Sequence, residues 1–147
     1  MKQGARVSVQ RASGTASIAV PGPSRLRRWA IAAAPPRANI TVRVVGAGEG
    51  RRLNREYRGL DYATNVLSFS YGRMEGVLGG DVVLCAPVIA REARDQRKAL
   101  DAHFAHLVIH GVLHLRGYVH EAEDEAKRME STERALLRRL GYPDPYA

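Results

Sequence analysis

Residues 100–120 read LDAHFAHLVIHGVLHLRGYVH. Asp101 suits an N-cap, and the positions after it are apolar nearly throughout until Gly117, a helix-ending residue. A helix that is apolar on almost every side is a buried one, so the segment predicts a central helix around which the rest of the fold is built. All five histidines of the chain fall between positions 103 and 120. On that helix His103, His106, His110 and His114 stand at i, i+3, i+7 and i+11, and at about 100° per residue they span an arc of about 80°. They share one face.

His110 and His114 are one turn apart, close enough for both imidazoles to reach one ion. Gly117 lets the chain turn back and deliver His120 as a third ligand, giving H-x3-H-x2-G-x2-H. Three neutral imidazoles suit one Zn²⁺ at about 2.0–2.1 Å each and leave the fourth tetrahedral position open for water. Bound Zn²⁺ lowers the pKa of such water towards about 7. A single histidine on an apolar face is ordinarily a packed core residue, but three at ligand spacing with a glycine at the turn argue for a metal site. The spacing equals that of the metzincin proteases, HExxHxxGxxH, yet the position of their general-base Glu is Gly111 here. A peptidase by that route lacks its base, and nothing in the spacing makes Glu121 its substitute. His106, one turn before His110, reads either as a residue behind the ligands or a proton carrier, or as a packed helix residue.

Outward from this segment, Pro87 opens a helix running to about Lys98, and Glu121 to Leu140 forms a final amphipathic helix closed by Gly141 and Pro143. Upstream, Asp81–Cys85 (DVVLC), Asn65–Ser70 (NVLSFS) and Asn39–Val45 (NITVRVV) read as strands, with Gly72–Gly79 as an irregular loop. Arg51–Arg58 is a short helix with Leu53 and Tyr57 at i and i+4, preceded by a Gly46–Gly50 turn and ended by Gly59. Pro21 to Ser24 forms a turn with an N-cap signal, and Arg25–Ala34 a helix with Leu26, Trp29, Ala30 and Ala33 on one face, stopped at Pro35-Pro36. Residues 1–17 read as a strand around Val7 and Val9 that fades into a loop. The prediction is an α/β (α+β) fold over residues 1–147 as one domain: a small mixed four-stranded sheet packed with about five helices, the histidine-bearing helix central.

Composition sets the outer limits. A chain of 147 residues with 45% hydrophobic content buries a real core. No apolar run approaches the ~18–20 residues of a membrane span, and Met1–Gln10 lacks a signal-peptide core. One cysteine, Cys85, excludes a disulfide framework and a cysteine-based zinc finger. The expectation is a soluble cytoplasmic protein. Residues 1–60 carry +10 and residues 61–147 carry −2, and twenty of the 23 basic residues are Arg. That asymmetry fits either a footprint for a polyanion such as nucleic acid or an Arg-rich solvated surface. With two Phe and six Tyr and no aromatic RNA-binding sheet, sequence-specific readout of single strands by stacking is not expected.

HGVLHLRGYVH (110–120) is similar to the HGxLHLxGYDH signature of the YbeY endoribonucleases, bacterial ribosomal RNA maturation factors. LNREYRG (53–59), DYATNVLSF (61–69), GGDVVLC (79–85), AHFAH (102–106) and LGYPDPY (140–146) follow that family's pattern in order, so the resemblance covers roughly residues 39–146. It implies a single α/β domain with one zinc ion held by His110, His114 and His120, and a functional arginine at Arg58. It also implies single-strand-specific, metal-dependent cleavage of ribosomal RNA in 16S 3′-end maturation and in ribosome quality control. The implied partners are ribosomal RNA and the small ribosomal subunit, ribosomal proteins and an Era-type GTPase, with no membrane and no DNA. Val119 stands where the family has Asp. That Asp is not one of the three ligands, so the change bears on the positioning of water or of a histidine more than on metal binding.

Two alternatives share the histidines. A zinc peptidase or other zinc hydrolase has no need of the basic half. A ribosome-assembly or RNA-binding factor with structural zinc binds RNA without cutting it. Thr64 and Asn65 read either as cleft floor or as a loop-to-strand junction, Asp81 has no assigned role, and Tyr118 reads as a packing residue.

Overall fold

A computed structural model describes residues 4–119 and 121–147. His120, the expected third ligand, lies outside the described residues. The elements run β1 (Arg6–Arg11), α1 (Pro23–Ala33), β2 (Ala38–Val45), α2 (Ala47–Arg58), β3 (Val66–Met74), β4 (Val77–Cys85), α3 (Ala86–Asp95), α4 (Leu100–Leu115) and α5 (Glu123–Arg139). The strands form one mixed sheet in the order β1-β2-β4-β3, with β2 parallel to β1 and to β4, and β3 antiparallel to β4. Parallel neighbours need a crossover, and α1 supplies it between β1 and β2. The four-stranded mixed sheet and five helices are those expected from the sequence.

Alternation along β4 divides the core. Val82 and Leu84 join the main cluster with Trp29, Phe104, Val108, Ile109, Met129 and Leu137, contributed by α1, α4 and α5. Val83 and Cys85 point the other way and pack with Val45, Leu67 and Val88, with Leu53 of α2 against them. The helix α4 is the hub: ten of its sixteen residues are buried, and its apolar surroundings are α1, the sheet and α5. Gly111 lets α4 approach the sheet. A Cβ there would lie 2.6 Å from Val82 Cγ1, so no larger residue fits without moving the helix.

Four details depart from the sequence reading. The Gly72–Gly79 segment is not an irregular loop but the end of a β-hairpin: β3 continues to Met74 and β4 begins at Val77. Glu75 and Gly76, at φ 53° and 80°, make the two-residue turn whose left-handed conformations match the twist of paired strands. The Gly46–Gly50 turn is the first turn of α2, whose poor helix propensity is overridden because Gly50 packs against Cys85. Asp101 does not cap α4; Ala99 is the capping position, and Asp101 sits in the first turn, facing Arg25 at 2.5 Å. Likewise α1 begins at Pro23, with Gly22 and not Ser24 as its cap. Among the described residues no helix is long and apolar enough to cross a membrane.

Candidate functional site

The periodicity of α4 lines its histidines along one edge. Ring centroids are 6.3 Å apart for His103 and His106, 6.1 Å for His106 and His110, and 4.6 Å for His110 and His114. The two Nε2 atoms of His110 and His114 stand 3.1 Å apart. Two imidazole nitrogens bound to one tetrahedral ion at ~2.0–2.1 Å are separated by roughly 3.3 Å. The pair is therefore spaced as ligands of one ion are.

The far side of His110 is held by α5. His110 Nδ1 lies 2.7 Å from Glu133 Oε2, and Glu133 is fully buried. Its burial would raise the carboxyl pKa, but hydrogen bonds from His106, His110 and Tyr146 outweigh that and hold it at about 2. An ionised carboxylate only accepts, so His110 carries its proton on Nδ1, and Nε2 presents a lone pair to His114 and the cleft. The Tyr146 hydroxyl donates to Glu133 Oε1, and burial together with that bond pushes the phenol pKa up. His106 Nε2 lies 3.4 Å from Glu133 Oε2 and 3.3 Å from the Tyr146 hydroxyl. His106, His110 and Glu133 thus offer ligand atoms all within 4.8 Å of one another, a group that could hold a metal ion. His103 ends the row: its Nε2 is 2.9 Å from Glu92 Oε1, and burial lowers its pKa, an effect only partly offset by Glu92.

In front of the histidine pair lies a cleft of about 570 Å³. Its walls are His110 and His114 from α4, residues 65–70 running into β3, and Tyr57 and Arg58 from the end of α2. The expected Arg58, His110 and His114 are therefore brought together. Their neighbours on α2 behave differently: Arg51 pairs with Asp61 at 2.8 Å and Arg55 approaches it at 3.8 Å, whereas among the described residues Arg58 makes no ion pair. Arg58 is exposed and lines the cleft. Thr64 and Asn65 line the cleft, and the Asn65 amide also donates to Glu92 at 3.0 Å, tying the start of β3 to α3.

The family described as Endoribonuclease YbeY matches residues 26–141. The chain belongs to the YbeY family. An Endoribonuclease YbeY of Aromatoleum aromaticum is 58% identical over 142 residues, covering 96% of this chain and 92% of the relative. That of Thiobacillus denitrificans is 51% identical over 142 residues, covering 96% and 95%. The solution structure of TM1509 from Thermotoga maritima aligns with a TM-score of 0.53 at 22% identity over 91% of each chain, which shows a shared fold. The resemblance carried by HGVLHLRGYVH and its companion motifs is thereby borne out.

Several residues in this family frame take a definite place. Gly111, the position that separates the chain from the metzincins, faces Val82, Ser68 and Val66 of the sheet so closely that the side chain of a general base has no room there. Tyr118 packs against the main core, as expected. Val119 is 37% exposed and borders a separate depression with Arg116, Glu125 and Arg128. Asp81 accepts a hydrogen bond from the Tyr71 hydroxyl. The sequence reading missed Glu133 and Tyr146. The available signal was an acid in the buried stripe of α5, where Met129, Glu133 and Leu137 follow at i, i+4 and i+8.

Proposed function

We propose that this protein is a metal-dependent endoribonuclease that cuts single-stranded ribosomal RNA, acting in 16S 3′-end maturation and ribosome quality control in the cytoplasm, with residues 1–147 working as one domain. The observation that carries the reading is the cleft itself: an arginine that makes no ion pair among the described residues lines it together with two imidazoles whose nitrogens are set at ligand spacing. The ligands are His110, His114 and His120, and one Zn²⁺ is the ion their nitrogen donors favour. The alternative group of His106, His110 and Glu133 is already knit together by its own hydrogen bonds, which suits it to orient His110 from behind.

When bound, the ion supplies Lewis-acid polarisation of a phosphoryl oxygen and a lowered pKa for water. The rest falls to the chain's own groups. Arg58 offers a planar pair of donors to two oxygens of the scissile phosphate and stabilises the extra negative charge that develops as the phosphate is attacked. Glu133 keeps the His110 proton on Nδ1. Asn65, fixed to Glu92, holds the β3 wall at a set distance from α4.

Zinc content and cleavage of a 3′-extended 16S RNA fragment, measured on the wild type and on His114→Ala and Arg58→Ala, test the reading. His114→Ala is expected to lose both the ion and cleavage, and Arg58→Ala to keep the ion and lose cleavage. Full cleavage by zinc-free His114→Ala would refute the metal mechanism. Wild-type protein that binds the fragment without cutting it would favour an assembly factor.

A further inference from the structure

On α2 the apolar stripe that begins with Leu53 should continue inward at Tyr57, one turn later. Leu53 does pack against the second core cluster. Tyr57 instead overhangs the cleft and is 65% exposed. Its ring is nevertheless braced: it meets Phe69 of β3 edge-on, with centroids 5.2 Å apart and planes at 66°. Phe69 is half-buried and anchored on the core side by the same cluster, so it fixes the ring without covering it. Both aromatics line the same cleft as Arg58, the next residue in the chain. Leaving an aromatic ring in water forgoes the free energy of burying it, and a helix end beside a charged cleft has no packing need for one.

We propose that Tyr57, braced by Phe69, is a stacking platform for one unpaired nucleobase of the strand whose phosphate Arg58 receives. This rests on the ribonuclease reading for the identity of the strand. The chemistry of the ligand follows from the pairing of groups: a flat π-face beside an anion site matches a base one sugar away from its phosphate. Every base has such a face, so the platform tolerates any sequence. In a duplex both faces of a base are covered by its stacked neighbours, so the platform favours single strands. This is a single stacking position, distinct from the sequence-reading aromatic sheet that the composition argues against.

The test is a fluorescence titration with single-stranded oligoribonucleotides carrying 2-aminopurine at successive positions, with the same sequence annealed as a duplex for comparison. Wild-type protein is expected to quench 2-aminopurine strongly at one position. Tyr57→Ala should lose that quench and bind the single strand about 5- to 150-fold more weakly, the range of one base–aromatic stack. Tyr57→Phe should restore both, and the duplex should bind the wild type and Tyr57→Ala equally. Undiminished quenching by Tyr57→Ala, or equal weakening for single strand and duplex, would overturn the platform. Wild-type cleavage measured in parallel keeps the two readings apart. A Tyr57-dependent quench without any cleavage refutes the ribonuclease and leaves the platform standing. Cleavage without a Tyr57-dependent quench does the reverse.

Discussion

Two walls of the cleft, those from α4 and α2, are built on opposite principles. On the α4 wall His110 is backed by a buried carboxylate: it rests on Glu133, which is held in turn by Tyr146 and His106, and α4 is locked to the sheet through Gly111. On the α2 wall Tyr57 and Arg58 are exposed at a helix end, and the Tyr57 ring is steadied by its edge-on contact with Phe69. A metal ligand must hold its geometry before the ion arrives, which requires a packed support. A phosphate and a base bring their own charge and surface, and groups that meet them need access more than rigidity. Mutations on the first wall should therefore move stability and function together, and those on the second should move function alone.

The strongest way to break that contrast is Glu133→Ala. Removing a buried charge that three partners contact should cost about 3–5 kcal/mol, lower Tm by roughly 10 °C and weaken metal binding ~10–100-fold. Calorimetry with a zinc titration checks it, and an unchanged Tm would mean the α4 wall is not load-sharing in this way. Arg58→Ala should behave oppositely. Cleavage falls by about 10²–10³ in kcat, the loss seen when one donor to a developing anion is removed, while stability stays within about 0.5 kcal/mol. A large drop in Tm would make Arg58 a structural residue.

Gly111→Ala sharpens the comparison from the back of α4. The new methyl group collides with Val82, and overpacking should cost about 1–3 kcal/mol and displace the histidine pair with the helix. Denaturant unfolding read beside zinc affinity should show both decline. The smallest effect is expected at the anchor of α2 on β2, where Arg43 grips Glu49 through two bonds of 2.7 and 2.9 Å. The Arg43 bond holds the Glu49 pKa below its ordinary 4.5. Its contribution is therefore present above pH 4.5 and is lost as pH falls through the lower folded value. Glu49→Gln should lose about 0.5–1 kcal/mol at pH near 7, with the two unfolding curves converging in acid and cleavage unchanged.

Much of the site was legible because a helix repeats. Once residues 100–115 are helical, 3.6 residues per turn sets His106, His110 and His114 on one edge whatever surrounds them. The β-branched runs at 39–45 and 81–85 gave their strands for a similar local reason. The hairpin at 72–79 escaped because Gly-Arg-Met-Glu-Gly has neither alternation nor β-branched residues; its strands are fixed by pairing across β3 and β4. The start of α2 escaped because two glycines argue against a helix that Cys85 and its neighbours impose from outside.

By itself, the sequence determined which residue types could carry the chemistry and on which face of α4 they lie, and its motifs marked Arg58. Only the tertiary structure decided what supports them. Glu133 reaches His110 from 23 residues away, Tyr146 reaches Glu133 from the end of the chain, and Tyr57 leaves its expected apolar stripe to overhang the cleft. Spacing within an element follows from backbone geometry and is written in order along the chain. Contact between elements depends on how whole helices and strands dock, and that is settled by the packing of the core as a unit.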